Sequence, residues 1–218
     1  MRTYKVDLHT HSTGSPDGGL TKRHYQFFLD NNLLDYIAIT DHNRIDIAQQ
    51  YQAELGGRII VGEEVMTSEG ELIGLHLSKL VEPGQTALAT AEAIKAQGGL
   101  VYVPHPFETV RSGISEKTLE QIAAQVDIIE GYNGRAIFQN RGALARKWAA
   151  KLGVPIAASS DAHGRTGWGY TYSLLDAAPS RASLVSLLKT ASYSKGMVGI
   201  GVIYPKLNRL IRKFRHAA

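Results

Sequence analysis

The sequence predicts an α/β fold in which about seven βα units close into a small barrel. Three observations carry this. Short, apolar, β-branched strands alternate with helical segments along the chain. No linker-like gap and no repeat of fixed period interrupts them, and 218 residues suit one domain. Most informative, histidines and carboxylates recur where predicted strands end, which is the rim on which βα barrels build active sites.

The elements follow in order. A strand from about Tyr4 to Leu8 runs into His9 and His11, with Asp7 expected on the same face because strand residues i and i+2 share one. A turn-rich loop, His11 to Gly19, precedes a helix from Thr21, its N-cap, to about Asn32. Tyr36–Thr40 is a buried strand ending in Asp41-His42, and a polar helix covers about Arg44 to Leu55. Arg58–Val61 is a strand ending in Gly62-Glu63-Glu64, and Leu72–Leu77 is another, just after Glu71. Helix Thr86–Gln97 stops at Gly98-Gly99, and strand Leu100–Val103 ends in Pro104-His105-Pro106. A helix from about Glu116 to Ala124 leads to strand Val126–Ile129, which ends in Glu130-Gly131-Tyr132-Asn133. Helix Ala136–Leu152 stops at Gly153; Pro155–Ala158 leads into Ser159-Ser160-Asp161-Ala162-His163, and a last barrel helix covers about Arg181–Thr190.

Composition narrows the function classes. There is no cysteine, which excludes disulfides, thiolate zinc sites and iron–sulfur clusters and fits a reducing, cytoplasmic setting. No apolar run approaches the roughly 20 residues of a membrane span, and Met1 to Lys5 does not read as a signal peptide. The net charge of +4 resides in the tail: without Lys206, Arg209, Arg212, Lys213 and Arg215 the rest carries −1. The body therefore gives no argument for nucleic-acid binding.

His9, His11, His42, Glu64, His105, Glu130, Asp161 and His163 all end predicted strands, more donors than one ion requires. Nitrogen and carboxylate donors without thiolate suit Zn, Mn or Fe(II), and closely spaced ions favour phosphoester hydrolysis. Amide hydrolysis is the chemical alternative on the same metals.

These motifs resemble those of the PHP-domain family, named for polymerase and histidinol phosphatase. The resemblance spans residues 4–175 and rests on Asp7-Leu8-His9-Thr10-His11, Ser15-Pro16-Asp17-Gly18, Thr40-Asp41-His42-Asn43, Gly62-Glu63-Glu64, Pro104-His105-Pro106, Glu130-Gly131-Tyr132-Asn133 and Ser160-Asp161-Ala162-His163. It implies an α/β, distorted (β/α)7 TIM-like barrel with its active site at the C-terminal rim of the strands. It also implies two or three divalent ions (Mn, Fe or Zn) and a catalytic metal-activated water, with no single side chain assigned. His9 and His11 would bind one ion with Glu64 and Asp161. Glu64 would bridge to a second ion shared with His105. Asp17, His42 and His163 would hold a third. Similar proteins often place a histidine at the start of the strand after Gly-x-Glu; here that position aligns with Glu71, which is favoured as ligand over His76.

Arg135, Asn133 and Arg165, and also Arg111, follow strand-end motifs and are candidates for substrate contact, with Trp168 available to stack on a ring. The expected domain spans residues 1–204, and 205–218 forms a basic amphipathic helix with Leu207, Leu210, Ile211 and Phe214 on its apolar face. That helix is expected either to pack on the barrel with its basic face solvated or to make weak contact with nucleic acid or an anionic surface. The function expected is a metal-dependent phosphoesterase acting on a small phosphorylated substrate, a phosphomonoester such as a nucleotide. The alternatives are a nuclease acting on nucleic-acid ends and a non-catalytic metal-binding regulatory module.

Overall fold

Strands whose residues are apolar on both faces need cover on both sides, and the chain supplies it by curling its sheet. The computed structural model describes residues 2–216, in which the strands form one nine-stranded sheet in the order β7-β6-β5-β4-β3-β2-β1-β8-β9. β1 (Tyr4–Asp7), β2 (Tyr36–Ile39) and β3 (Ile59–Thr67) run parallel, followed by antiparallel β4 (Gly70–Leu75). β5 (Leu100–Val103), β6 (Ile128–Asn133) and β7 (Ile156–Ser159) resume the original direction. Helices α1 (Lys22–Asp30), α2 (Asp46–Leu55), α3 (Ala87–Ala96), α4 (Glu116–Gln121) and α5 (Gly142–Leu152) cover the outside.

Alternation along each strand builds two cores. Ala38, Ile60, Ile73, Tyr102 and Ile128 fill the barrel interior. Their neighbours Ile37, Ile39, Ile59, Val61, Val101, Val103 and Ile129 pack outward against the helices.

The distorted barrel matches expectation; the run of seven parallel βα units does not. Only Ser68 and Glu69 separate β3 from β4, whereas a parallel crossover needs a dozen or more residues. A hairpin is the only connection available, and Gly70, at φ +118°, completes its turn. Because β4 runs backwards, its first residues lie at the same rim as the last residues of its neighbours.

Two strands were not expected from sequence, β8 (Thr171–Leu175) and β9 (Ser192–Lys195), and α6 (Leu184–Leu188) joins them. Their serines, threonine and tyrosines give little apolar signal. β8 pairs antiparallel with β1, and the gap to β7 is closed by a side chain: Ser173 Oγ accepts from Ala158 N at 2.9 Å and donates to Ala158 O at 3.2 Å. The helix expected from Ala136 begins only at Gly142, so residues 134–141 form a rim loop.

The final helix, α7 (Tyr204–His216), docks in an unexpected orientation. Asn208, Arg209 and Arg212 face the barrel loops, while Leu207, Leu210, Ile211 and Phe214 are exposed. The expected arrangement, apolar face in and basic face solvated, is reversed, because the surface under the helix consists of backbone carbonyls and a carboxylate. Ala217, Ala218 and the Arg215 side chain lie outside the described residues.

Replacing Ser173 with alanine strands a buried N–H and carbonyl at the seam. The expected cost is about 1–3 kcal/mol, read as a lower urea midpoint with an unchanged circular dichroism spectrum.

Candidate metal centre

The rim residues converge on Glu64. Its Oε1 lies 3.1 Å from His105 Nε2 and 3.4 Å from His9 Nε2, and its Oε2 lies 3.2 Å from His11 Nε2 and 3.3 Å from His42 Nδ1. Glu63 points the other way and accepts from Val81 N. Asp161 Oδ1 lies 3.5 Å from His11 Nε2 and 3.6 Å from His9 Nε2. Asp17 joins His42 and His163, each at 3.6 Å. Glu71, opening β4, faces His42 at 3.5 Å and His105 at 3.8 Å. His76 is outside this group: it sits at the far end of β4 at φ +58°, and its Nε2 is buried without a partner among the described residues.

Each arm of the site has a local cause. His9 and His11 follow β1, and their Nε2 atoms come within 3.1 Å of each other. The Ser-Pro-Asp-Gly loop is folded back over the rim by Asp41, which accepts from Ser12 N at 2.7 Å and Ser15 Oγ at 2.8 Å. Ser15 Oγ in turn meets His11 Nδ1 at 3.1 Å and accepts from His42 N at 3.0 Å. Gly18 is required there, since a Cβ would lie 1.9 Å from Ser12 O. His105 (φ +26°) and Asp161 (φ +53°) are both held in the left-handed region, conformations that cost on the order of 1–3 kcal/mol and concentrate at functional sites.

Glu130 fixes His9. Its Oε1 lies 3.1 Å from His9 Nδ1 and accepts from Tyr102 OH at 2.8 Å, while its Oε2 accepts from His105 N at 2.7 Å. Asp7, expected to share a face with His9, instead points outward. Its carboxylate accepts from Ser160 N and Trp168 Nε1, both at 3.0 Å, and reaches His9 only through the backbone N–H at 3.4 Å. The paired strand ends at Asp7, so its alternation does not carry through to the histidines.

The crowding of buried carboxylates and imidazoles shifts their ionisation strongly. Burial opposes ionisation of Glu64, yet His9 and His42 beside it hold its carboxyl well below the usual range. Burial, and then the Glu64 charge, push Glu71 up to about 9. Burial, with His11 and Arg135 beside it, pulls His163 down to about 3. Asp17 Oδ1 is buried with no hydrogen-bond partner among the described residues. Four overlapping groups present donors within 4.8 Å of one another: His11, Asp17, His42 and His163; His9, His11 and Asp161; His9, Glu64 and His105; His42, Glu64 and Glu71. This set of buried nitrogen and carboxylate donors fits divalent ions.

The candidate substrate residues separate. Arg111 is bound at 2.6 Å to Glu108 and at 2.7 Å to Asp161. Arg135 donates to Asp161 Oδ1 at 3.1 Å, and its backbone N–H donates to Asn133 Oδ1 at 2.8 Å. Arg165 is exposed and does not line the central cavity, and Trp168 is buried, stacked on Phe28. The cavity, about 490 Å³, opens over Glu64 and Glu71 and is walled in part by Pro205, Lys206 and Arg209 of α7. The contribution of α7 was missed from sequence; the one available signal was its basic residues at helical spacing.

Comparison with known proteins places this geometry. A PHP-associated family model matches residues 141–192. An uncharacterised protein of Methanocaldococcus jannaschii is 31% identical over 149 residues, 62% of this chain and 87% of that protein. Among solved structures, a two-domain protein of Bacteroides vulgatus containing a predicted PHP-like metal-dependent phosphoesterase superposes with a TM-score of 0.70 at 19% identity; the match covers 89% of this chain but only 65% of that one. Endonuclease Q, in complex with a 27-mer duplex bearing an abasic lesion at its active site, superposes with a TM-score of 0.63 at 14% identity, over 88% of this chain and 58% of that one. The likeness in sequence and fold, with the motifs that supply the Glu64 cluster, shows that the chain belongs to the PHP-domain family.

Proposed function

We propose that the chain is a metal-dependent phosphoesterase that hydrolyses a small phosphorylated substrate, a phosphomonoester such as a nucleotide. The observation that carries this reading is the Glu64 carboxylate facing four imidazoles, with Asp161, Asp17 and Glu71 completing overlapping donor groups.

In this reading His9, His11, Glu64 and Asp161 hold one ion; Glu64, Glu71 and His105 hold a second; Asp17, His42 and His163 hold a third. Divalent ions bound there would draw charge from phosphate oxygens and lower the pKa of water. The side chains around them do the rest. Glu130 accepts a hydrogen bond from His9 Nδ1–H in this reading, which leaves the Nε2 lone pair directed inward. Arg135 lines the cavity and uses Nη1 on Asp161, which leaves Nη2, with no hydrogen bond to the described residues, to take a phosphate oxygen. Asn133 fixes the Arg135 backbone, and Arg111 is spent on Glu108 and Asp161. The nuclease alternative draws on the fold shared with endonuclease Q and on the basic residues of α7, but that helix walls one side of a cavity sized for a small ligand.

A screen of nucleoside phosphates, sugar phosphates and short oligonucleotides, each with Mn, Fe(II), Zn and Mg, is expected to show chelator-sensitive turnover of a small phosphoester. Turnover of none by metal-loaded protein counts against the reading, and turnover of oligonucleotides alone selects the nuclease. Glu130→Gln is expected to weaken metal affinity roughly 10- to 100-fold, measured by competition with a chelating dye. Glu71→Gln is expected to lower metal content by elemental analysis while His76→Ala retains it; the opposite result would reassign the ligand.

A further inference from the structure

We propose that the apolar ridge along residues 200–214 docks the protein onto an anionic lipid surface, with Lys206 and Lys213 meeting the headgroups. This docking does not depend on the activity assigned to the metal centre.

Seven of the sixteen large apolar side chains exposed among the described residues fall within residues 197–214. Six of them make one stripe. Ile200 and Ile203 stand one turn apart in the 3₁₀ segment Gly199–Ile203, which runs directly into α7. There Leu207, Leu210, Ile211 and Phe214 continue it at helical spacing. Exposed apolar residues scattered singly are ordinary, but a contiguous patch marks a contact surface.

The barrel cannot bury this ridge, because the other side of α7 is committed. Asn208 Nδ2 donates to Asp17 O at 2.7 Å and His163 O at 2.9 Å, and Arg209 Nη2 donates to Asp17 Oδ2 at 2.6 Å. Arg212 Nη2 donates to Thr13 O at 2.7 Å and Gly18 O at 3.0 Å. Turning the helix over would break these bonds and place apolar side chains on the oxygens they now satisfy.

Charge decides what covers the ridge. From residue 177 to residue 218 the chain has no acidic residue. Arg209 and Arg212 are spent on loop oxygens, whereas Lys206 and Lys213 are exposed and make no hydrogen bond or ion pair with the described residues. Seven residues apart, the two lysines line one edge of the ridge on either side of Leu210. A second copy laid along the ridge would meet the same cations and no acid. The four apolar residues within α7 also fall short of the three or four heptads of a helix zipper. A nucleic-acid backbone would take the lysines but leave the ridge in water. An anionic bilayer takes both: the apolar side chains enter the headgroup boundary, and the lysine stems lie along it with their ammonium groups among the lipid phosphates.

The test is co-sedimentation of the full chain with vesicles of phosphatidylcholine alone and of phosphatidylcholine mixed with phosphatidylglycerol. Light scattering of the protein without lipid and titration of a labelled duplex oligonucleotide accompany it. Wild type is expected to bind the anionic vesicles at least about tenfold more tightly than phosphatidylcholine. Lys206→Ala and Lys213→Ala should each weaken that binding about fivefold, the value of one cation at an anionic surface. Leu210→Ser combined with Phe214→Ser should abolish it with an unchanged circular dichroism spectrum, since both positions are exposed. Phe214→Trp should keep it and shift its emission to the blue on the vesicles, as a ring leaving water does. No binding, equal binding to phosphatidylcholine, or binding that survives the paired serine substitutions would overturn the proposal. A wild-type dimer that those substitutions convert to a monomer would overturn it in favour of a second copy. Tighter binding of the duplex than of the vesicles, unchanged by the same substitutions, would overturn it in favour of nucleic acid.

Discussion

Glu64 is only 1% exposed, and a carboxylate so buried is tolerated only where charge or hydrogen bonds surround it. Four imidazoles do so, two for each oxygen. Those imidazoles are themselves buried or nearly so, and each needs a partner of its own. Glu130 serves His9, Ser15 serves His11, Asp17 serves His42 and His163, and Glu71 serves His42 and His105. The demand passes outward again: Asp41 fixes Ser15, Tyr102 serves Glu130, and two arginines balance Asp161. The rim is therefore a nested polar network in which a change at Glu64 would unbalance several shells at once.

The barrel makes that network affordable. Parallel β1, β2, β3, β5, β6 and β7 end at one rim, and the reversed β4 adds Glu71 there by its first residues rather than its last. Below the rim the interior turns apolar within a residue or two, through Ala38, Ile60, Ile73 and Ile128. The polar groups are thus confined to one layer, open on one side to the cavity. β7 is joined to β8 by Ser173 and, at the rim, to the segment after β1 by the bridge between Thr10 and Ala162, so the two ends of the chain's motif set are fastened where they meet.

α7 extends the network to the surface. Its polar side chains satisfy carbonyls of loops 11–19 and 163, and in doing so leave an apolar ridge, Leu207, Leu210, Ile211 and Phe214, outside. A helix chosen for apolar burial would have turned the other way. Its orientation follows instead from what lies beneath it, a surface of oxygen atoms around Asp17 and His163 that accept from Asn208, Arg209 and Arg212.

Much of the fold and of the centre was legible in the residues. Alternating strands and helices, and histidines and acids at strand ends, are local patterns, and they pointed to the barrel, its rim and the residues that the structure brings together there. Strand alternation left one ligand between Glu63 and Glu64, the resemblance to the family's Gly-x-Glu pattern favoured Glu64, and alignment with the position after that motif favoured Glu71 over His76. Other features depend on what a residue meets across the fold. Whether Asp7 faces a histidine or Ser160 depends on where β1 ends; whether Arg111 is free or spent depends on Glu108 and Asp161; whether Trp168 is a platform or a packed ring depends on Phe28. β8 and β9, polar and short, exist because β1 offers β8 an edge and β8 offers one to β9. The sequence by itself determined the donor chemistry and its placement at strand ends, because both follow from residue type and period. The tertiary structure alone decided which charges are already neutralised and which side of α7 faces the site, because those depend on partners distant in the chain.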